Sequence, residues 1–112
     1  MNQMDFSVYQ SASAHTWTEL EGIDAIYYLT MGLASEAGEV AGKVKKALRD
    51  EGGNISQERS MAIADELGDV LWYVARLADE LGWDLNQVAR SNLKKLADRK
   101  ARGAIGGDGD NR

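Results

Sequence analysis

The sequence contains no cysteine, no proline and a single histidine. Without cysteine the chain can form neither a disulfide nor a thiolate metal site, which is typical of cytoplasmic proteins. The absence of proline, together with many alanine, leucine, glutamate and lysine residues, favours long helices over a β-sheet. We therefore expect an all-α protein located in the cytoplasm.

Long apolar runs are also missing: no stretch approaches the ~20 residues that a membrane span needs, and residues 1–10 do not resemble a signal peptide. The net charge is −5, which argues against a nucleic acid as the main partner, because that affinity comes largely from Lys and Arg. An acidic protein can nevertheless bind a small anion where bound cations invert the local charge. We expect no membrane and no nucleic-acid partner.

Apolar residues recur at spacings of three and four in four segments, which predicts four helices. These segments cover about residues 5–14, 24–49, 56–81 and 84–102. Asp5, Asp24 and Asp84 are the predicted N-caps, and Gly52 and Gly82 follow predicted helix ends. Because the connections are short, neighbouring helices should run antiparallel, and we predict a four-helix bundle.

The length of 112 residues allows one domain with a single core. Residues 1–102 hold all four predicted helices, so we assign this range to the domain. Residues 103–112 are rich in glycine and aspartate, and such a composition predicts a disordered C-terminal tail.

Two pairs of acidic residues lie three positions apart on the second and third predicted helices: Glu36 with Glu39, and Glu66 with Asp69. This spacing places both carboxylates of a pair on one helical face. The number of acidic pairs at this spacing does not by itself indicate a metal site, because chance alone gives about three in such a chain and three occur. Their surroundings decide the interpretation.

Glu36 interrupts the apolar stripe of its helix, and Glu66 lies at the edge of the apolar face of the next one. Unpaired carboxylates near a core are costly. Gly38 and Gly68 each precede the second acid of a pair, and a mid-helix glycine usually indicates close approach of another backbone or a ligand. The pattern predicts a four-carboxylate cluster that requires cations, with ordinary surface or salt-bridged acids as the alternative.

The ligand types limit which metal such a cluster would bind. Di-iron sites in helical bundles use Glu-x-x-His pairs, whereas His15 is far from both acidic pairs in the sequence. Carboxylate oxygens alone favour Mg²⁺, with Mn²⁺ as a substitute. Since Mg²⁺ is commonly held by a few carboxylates plus substrate phosphates, we expect a phosphoanhydride substrate.

Two lysines on the second helix follow the first acidic pair. Lys43 is four residues after Glu39, and Lys46 extends the same row. Both are candidates to contact a phosphate. Cations near the C-terminal end of a helix also complement its dipole, which is the alternative interpretation.

Five further residues are candidates for substrate binding. Asn92, Lys95 and Arg99 form one polar ridge on the fourth helix, which could equally be a solvated face. Tyr73 lies on the same face as the third-helix acids, and Trp17 lies in a connection. Either ring could contact a nucleotide, although packing is an equally ordinary role for them.

Two segments together resemble the MazG-like nucleotide pyrophosphohydrolases, whose signature is Glu-x-x-Glu on one helix and Glu-x-x-Asp on the next. They read Gly-Leu-Ala-Ser-Glu-Ala-Gly-Glu-Val-Ala-Gly-Lys-Val-Lys-Lys over 32–46 and Asp-Glu-Leu-Gly-Asp-Val-Leu-Trp-Tyr over 65–73. The segment 6–10 looks like the N-terminal helix of the family, and 92–99 looks like its closing Asn, Lys and Arg pattern. The resemblance thus covers about residues 5–100.

The resemblance implies an oligomeric MazG-like fold and hydrolysis of a nucleoside triphosphate, (d)NTP, to (d)NMP and pyrophosphate. Glu36, Glu39, Glu66 and Asp69 would hold Mg²⁺, Lys43 would offset charge on the leaving pyrophosphate, and Glu39 is a candidate to orient the attacking water. The family also implies a homodimer or homotetramer and a house-cleaning or nucleotide-pool role. Phosphoribosyl-ATP pyrophosphohydrolysis, or a non-catalytic helical interaction module, are the alternatives.

Overall fold

The computed structural model describes residues 3–17, 20–103 and 106–107, and every regular element in these ranges is helical. The predicted all-α class is therefore confirmed for the described residues. The predicted disordered tail, 103–112, lies largely outside them. The elements in chain order are α1 (Phe6–Ser13), a 3₁₀ turn (Ala14–Thr16), α2 (Gly22–Asp50), α3 (Gln57–Glu80) and α4 (Leu85–Ala101).

Side-chain caps start two of the helices as predicted. The Asp5 carboxylate accepts a hydrogen bond from the Val8 backbone N–H at 2.8 Å, which satisfies an unpaired donor in the first turn of α1. The Asp84 carboxylate accepts from the Asn86 N–H at 2.7 Å at the start of α4. Both predicted N-caps are confirmed.

The prediction that Asp24 caps the second helix is wrong. α2 begins at Gly22, and the preceding Glu21 makes no side-chain capping bond. Gly22 has a φ of 64°, which glycine adopts without steric penalty and which lets the chain turn into the helix earlier. Asp24 lies instead in the first turn, where its negative charge interacts favourably with the helix dipole.

The end of α3 fixes where α4 begins. Gly82 has a φ of 80°, and its N–H donates to the Asp79 carbonyl at 3.0 Å while the Trp83 N–H donates to the Ala78 carbonyl at 2.8 Å. This pair of bonds is the Schellman motif, which satisfies carbonyls at a helix end. Asp84 then caps α4 immediately, so the predicted stop at Gly82 is confirmed.

The long helices α2 and α3 pack against each other, and α1 packs against both α3 and α4. Gln10 on α1 connects these elements, because its side-chain amide donates to the Trp83 carbonyl at 2.8 Å and its side-chain oxygen accepts from the Leu85 N–H at 2.9 Å. The arrangement is an α2–α3 hairpin with α1 and α4 gathered on α3, rather than four helices packed equally around one core.

The buried apolar core of the described chain is small. It consists of Ala25, Leu29, Ala47, Ala75, Ala78 and Leu85, of which Leu29 is the largest fully buried side chain. Large apolar side chains elsewhere stay accessible, including Met31, Leu48 and Leu93, each about two-thirds exposed. The predicted apolar stripes therefore exist, but one chain covers only part of them.

None of the described helices combines the length and apolar character needed to cross a membrane.

Candidate functional site

The packing of α2 on α3 brings three acidic side chains together. Glu36 from α2 meets Glu66 and Asp69 from α3, and one carboxylate oxygen from each lies within 4.8 Å of the others. We call these three residues the acidic cluster. Three of the four carboxylates predicted from the sequence are thus in one place, as the spacing on each helix and the pairing of the helices require.

Glu39, the fourth predicted carboxylate, lies one helical turn beyond Glu36 and is exposed. It is not part of the group whose carboxylate oxygens lie within 4.8 Å of one another among the described residues. Its negative charge nevertheless contributes to the pKa of Glu36. Glu39 therefore stands beside the acidic cluster rather than in it.

The acidic cluster is unfavourable when fully ionised. A hydrogen bond between the Glu36 and Glu66 side chains raises the pKa of Glu36 above its ordinary value. Burial and the negative charge of Asp69 raise this pKa further. Because like charges repel at short distance, the negative charges of Asp69 and Glu66 raise the pKa of Glu36, and a bound cation would stabilise the ionised cluster.

The donor set of the cluster suits a hard divalent cation. Its members offer carboxylate oxygens and neither nitrogen nor sulfur, and oxygen ligands favour Mg²⁺ and Mn²⁺. A cation would also relieve the repulsion that raises the pKa of Glu36. The residues present therefore fit a divalent metal.

A lysine provides positive charge at the edge of the cluster. Lys43 Nζ lies 3.3 Å from Glu66 Oε1, and both side chains are mostly buried. The predicted phosphate-contacting lysine is thus placed at the site. Lys46 is exposed near the end of α2, where its charge adds to the effect of Arg49 in lowering the pKa of Asp50.

Tyr73 packs in close contact with α2, next to the cluster. A Cβ built on Gly32 would lie 2.1 Å from Tyr73 Cε1, so only glycine leaves space for the ring. Gly38 and Gly68, which the sequence indicated as points of close approach for another backbone or a ligand, do not lie against another element of the described residues. A Cβ on either would meet no heavy atom of the described residues within 4 Å, because both lie on helix faces that no other element covers.

Four aromatic rings, those of Trp17, Tyr28, Trp72 and Tyr73, form a continuous group that we call the aromatic cluster. The Trp17 ring centroid lies 5.8 Å from that of Tyr28 and 6.0 Å from that of Trp72. The rings of Trp72 and Tyr73 meet edge to face at 5.0 Å, an arrangement that aromatic pairs favour. Trp17 and Tyr73, the two predicted nucleotide contacts, therefore belong to one surface.

The aromatic cluster borders the acidic cluster. Burial raises the pKa of Tyr73, and a hydrogen bond with Tyr28 adds to this rise. The negative charges of Glu36 and Asp69 raise the same pKa further, and the Tyr73 ring lies against Gly32, one helical turn from Glu36. Sequence reasoning missed Tyr28, although its spacing of four and eight from Gly32 and Glu36 could have indicated a shared helix face.

The three candidates on α4 lie elsewhere in the chain. Asn92 and Lys95 line an open groove with Trp83 and Gln87, and none of the acidic-cluster residues lines it. Arg99 is only 3% exposed, so it is not part of a solvated ridge. The groove that Asn92 and Lys95 line in the described part of the chain therefore does not include the acids.

Comparison with known proteins identifies the family of this chain. Residues 26–103 match the MazG nucleotide pyrophosphohydrolase domain, a range that contains both acidic half-motifs and Tyr73. The chain is also 48% identical over 114 residues to the "Gene 37 protein" of Mycobacterium phage L5, in an alignment that covers 97% of this chain and 100% of that protein. No solved structure matches. The chain belongs to the MazG nucleotide pyrophosphohydrolase domain family.

Proposed function

We propose that this protein is a Mg²⁺-dependent nucleoside triphosphate pyrophosphohydrolase that converts (d)NTP and water to (d)NMP and pyrophosphate. The observation that best supports this proposal is that the carboxylates of Glu36, Glu66 and Asp69 lie close together. The family to which the chain belongs generally hydrolyses nucleotide phosphoanhydride bonds with a divalent metal. We further propose a role in the nucleotide pool, with Mn²⁺ as a substitute for Mg²⁺.

In the proposed reaction, a water oxygen forms a bond to the α-phosphorus while the bond from that phosphorus to the bridging oxygen breaks. The pyrophosphate leaves with the bonding electron pair. When bound, Mg²⁺ would neutralise phosphate charge and favour deprotonation of the attacking water. The acidic cluster would hold the ion, and we propose exposed Glu39 as a fourth carboxylate that completes this set or orients the water.

Lys43 is the residue best placed to contact the leaving group. Its ammonium already lies 3.3 Å from Glu66, at the border between the acids and solvent. A fixed cation at this point would stabilise the negative charge that develops on the departing pyrophosphate. Lys46, further along α2, is proposed as an outer contact for the phosphates.

The aromatic cluster is proposed to hold the nucleoside. Trp17 and Tyr73 offer flat apolar surfaces in the aromatic cluster, of which the Tyr73 ring borders the acids. Stacking of a base on an aromatic ring contributes about 1–3 kcal/mol. A nucleotide has a base at one end and phosphates at the other, so an aromatic surface beside carboxylates matches both ends. This match supports a nucleotide rather than a simple phosphate ester as the substrate.

We also propose that the protein is a homodimer or homotetramer. Large apolar side chains such as Met31, Leu48 and Leu93 are about two-thirds exposed in a single chain, and burial in an oligomer would remove their cost. Asn92 and Lys95 are proposed to act on substrate bound at the acidic cluster of a second copy, whereas Arg99, 3% exposed, is too buried to be part of that contact. Sedimentation velocity tests the assembly: a monomer at micromolar concentration would contradict it.

The decisive experiment incubates the purified protein with canonical and modified (d)NTPs, with Mg²⁺ or with EDTA, and separates the products by ion exchange. Monophosphate and pyrophosphate that appear with Mg²⁺ alone support the proposal. The Glu66→Gln variant should lose turnover, whereas Glu58→Gln, an acid in the first turn of the same helix, should retain it. A Glu39→Gln variant tests the proposed fourth carboxylate.

Other product patterns would change the assignment. Diphosphate and phosphate would show that a different bond is cleaved. Turnover of phosphoribosyl-ATP in place of every (d)NTP would favour the related activity in histidine biosynthesis. A folded protein with neither activity would favour the non-catalytic helical module.

A further inference from the structure

Trp17 reaches the aromatic cluster from a short irregular segment rather than from a long helix. It follows the 3₁₀ turn Ala14–Thr16 and has extended backbone angles. Its N–H donates to the Ala14 carbonyl at 3.1 Å. A side chain at the end of such a short turn needs contacts from other elements to keep one position, because a single turn has little stability alone.

Thr16 supplies a contact between this turn and α3. Its hydroxyl accepts a hydrogen bond from Trp72 Nε1–H at 2.8 Å. The same hydroxyl donates to the Ser13 carbonyl at 3.1 Å. Thr16 therefore connects the end of α1 to the indole that packs against Trp17 on one side and Tyr73 on the other.

The buried guanidinium of Arg76 holds the end of α1, next to the turn that contains Thr16. Arg76 is 3% exposed; its Nε donates to Ser13 Oγ at 2.9 Å, and its Nη2 donates to the Gln10 carbonyl. Ser13 Oγ in turn donates to the Gln10 carbonyl at 2.8 Å. A buried charge is tolerated only with such fixed partners, so the end of α1 is tied to α3.

Together these bonds form a continuous path from Arg76 through Ser13 and Thr16 to Trp72. The path ends in the aromatic cluster, whose Tyr73 ring lies against Gly32, one helical turn from Glu36 of the acidic cluster. Removal of one hydroxyl in the middle of the path would free Trp72 Nε1–H and loosen the turn that carries Trp17. The acidic cluster, which is built from α2 and α3, would stay in place.

We propose that Thr16 is a positioning residue for nucleoside recognition, because its hydroxyl fixes Trp17 and Trp72 in the orientation that receives the base. The inference rests on the proposed function, and it assigns Thr16 a role in substrate affinity rather than in the chemical step. A purely structural hydroxyl would instead change the free energy of unfolding without changing the affinity for nucleotide.

The test compares steady-state kinetics of wild-type protein with Thr16→Val and Thr16→Ala, using the (d)NTP that the wild type hydrolyses fastest. We expect the KM of both variants to rise about three- to tenfold, the usual effect of one neutral hydrogen bond, with kcat within about twofold. Thr16→Ser, which keeps the hydroxyl, should restore the wild-type KM. Because Thr16 is exposed, these variants are expected to fold, and circular dichroism would verify it.

Two controls accompany this test. The first distinguishes an effect on base binding from an effect on phosphate binding. The second tests whether loss of any exposed threonine hydroxyl changes the KM. Inorganic tripolyphosphate, which has no base, should inhibit the wild type and Thr16→Val with the same inhibition constant. Thr30→Val removes an exposed hydroxyl that donates to the Ile26 carbonyl within α2, and its KM should stay at the wild-type value. The proposal is overturned by an unchanged KM in Thr16→Val and Thr16→Ala, by a parallel rise in the tripolyphosphate constant, or by failure of Thr16→Ser to rescue.

Failure of the proposed function would be recognised separately. Wild-type protein that hydrolyses no (d)NTP contradicts the proposed activity, and the role of Thr16 is then measured by quenching of tryptophan fluorescence during titration with a nucleoside triphosphate. Weaker binding by Thr16→Val than by wild type would still support the positioning role. Equal dissociation constants, or no binding by the wild type, would overturn it.

Discussion

The ring of Tyr73 lies against the backbone of Gly32, so closely that a Cβ added at Gly32 would be 2.1 Å from Tyr73 Cε1. This contact joins α2 and α3 one turn from Glu36, the residue that α2 contributes to the acidic cluster. The tyrosine ring also meets the Trp72 ring edge to face at 5.0 Å, so it is held from two sides. The close approach of these two residues therefore sets the spacing of the helices beside the site.

Substitution Gly32→Ala should destabilise the protein. Alanine normally stabilises a helix relative to glycine by about 0.5–1 kcal/mol, but here the new methyl group must displace the Tyr73 ring, and overpacking costs about 1–3 kcal/mol. Gly42→Ala on the same helix is the matched control, since its Cβ would meet no heavy atom of the described residues within 4 Å. Urea unfolding should show the control gaining stability and Gly32→Ala losing it; equal gains would show that Tyr73 moves away without cost.

The acidic cluster predicts stabilisation by metal. A ligand that binds only the folded state at one hundred times its dissociation constant adds about 2.7 kcal/mol, so saturating Mg²⁺ should raise the Tm of the wild type by several degrees. Glu66→Gln removes a carboxylate from the cluster and should lose most of this increment. Glu58→Gln should keep it, and an undiminished increment in Glu66→Gln would place the metal elsewhere.

Much of the fold could be predicted from short local patterns in the sequence. The caps at Asp5 and Asp84 and the stop at Gly82 depend on residues next to them in sequence, and all three are confirmed. Asp24 failed as a cap because Gly22, at positive φ, starts the helix earlier. Such competition between two adequate start signals is not resolved by spacing alone.

The site was only partly predictable for a related reason. Regular spacing could place Glu36, Glu66 and Asp69 on the correct helix faces, and the structure brings them together. It could not show that Gly32, rather than Gly38 or Gly68, faces another element, because this depends on how two helices pair across about 40 residues of chain. Nor could periodicity show which apolar faces one chain leaves uncovered, since exposed and buried stripes have the same pattern.

Lys43 should be needed for turnover but not for metal binding. Loss of a hydrogen bond to a charged group costs about 1.5–3 kcal/mol, so Lys43→Met should lower kcat/KM for a (d)NTP by about ten- to hundredfold. The same variant should bind Mg²⁺ at least as tightly as the wild type without nucleotide, because the ammonium 3.3 Å from Glu66 Oε1 competes with the ion.

Lys45→Met is the control for that experiment, because Lys45 is an exposed neighbour on the same helix. Its kcat/KM and its Mg²⁺ affinity, measured by isothermal titration calorimetry, should both match the wild type. Weaker Mg²⁺ binding by Lys43→Met would indicate that the lysine orders the carboxylates instead of competing for them. An unchanged kcat/KM would remove Lys43 from the proposed phosphate contacts.

The junction of α1 and α4 predicts a dependence of stability on pH. The Ser7 hydroxyl donates to the Asp84 carboxylate at 2.8 Å, and this bond, aided by the Asn86 N–H, holds the pKa of Asp84 below its ordinary value. A carboxyl group with a lowered pKa in the folded state contributes stability above its unfolded pKa, about 3.9. That contribution is lost as the pH falls through the lower, folded pKa.

Ser7→Ala should therefore be less stable than the wild type at neutral pH, and the difference should narrow as the pH falls below about 4. Urea unfolding between neutral and strongly acidic pH measures this difference. Ser11→Ala removes an exposed hydroxyl from the same helix and should show a difference from wild type that does not vary with pH. If the difference in free energy of unfolding between Ser7→Ala and wild type stays constant across this pH range, the hydroxyl bonds equally well to the protonated carboxyl group. The charge of Asp84 would then not contribute to the stability of the junction between α1 and α4.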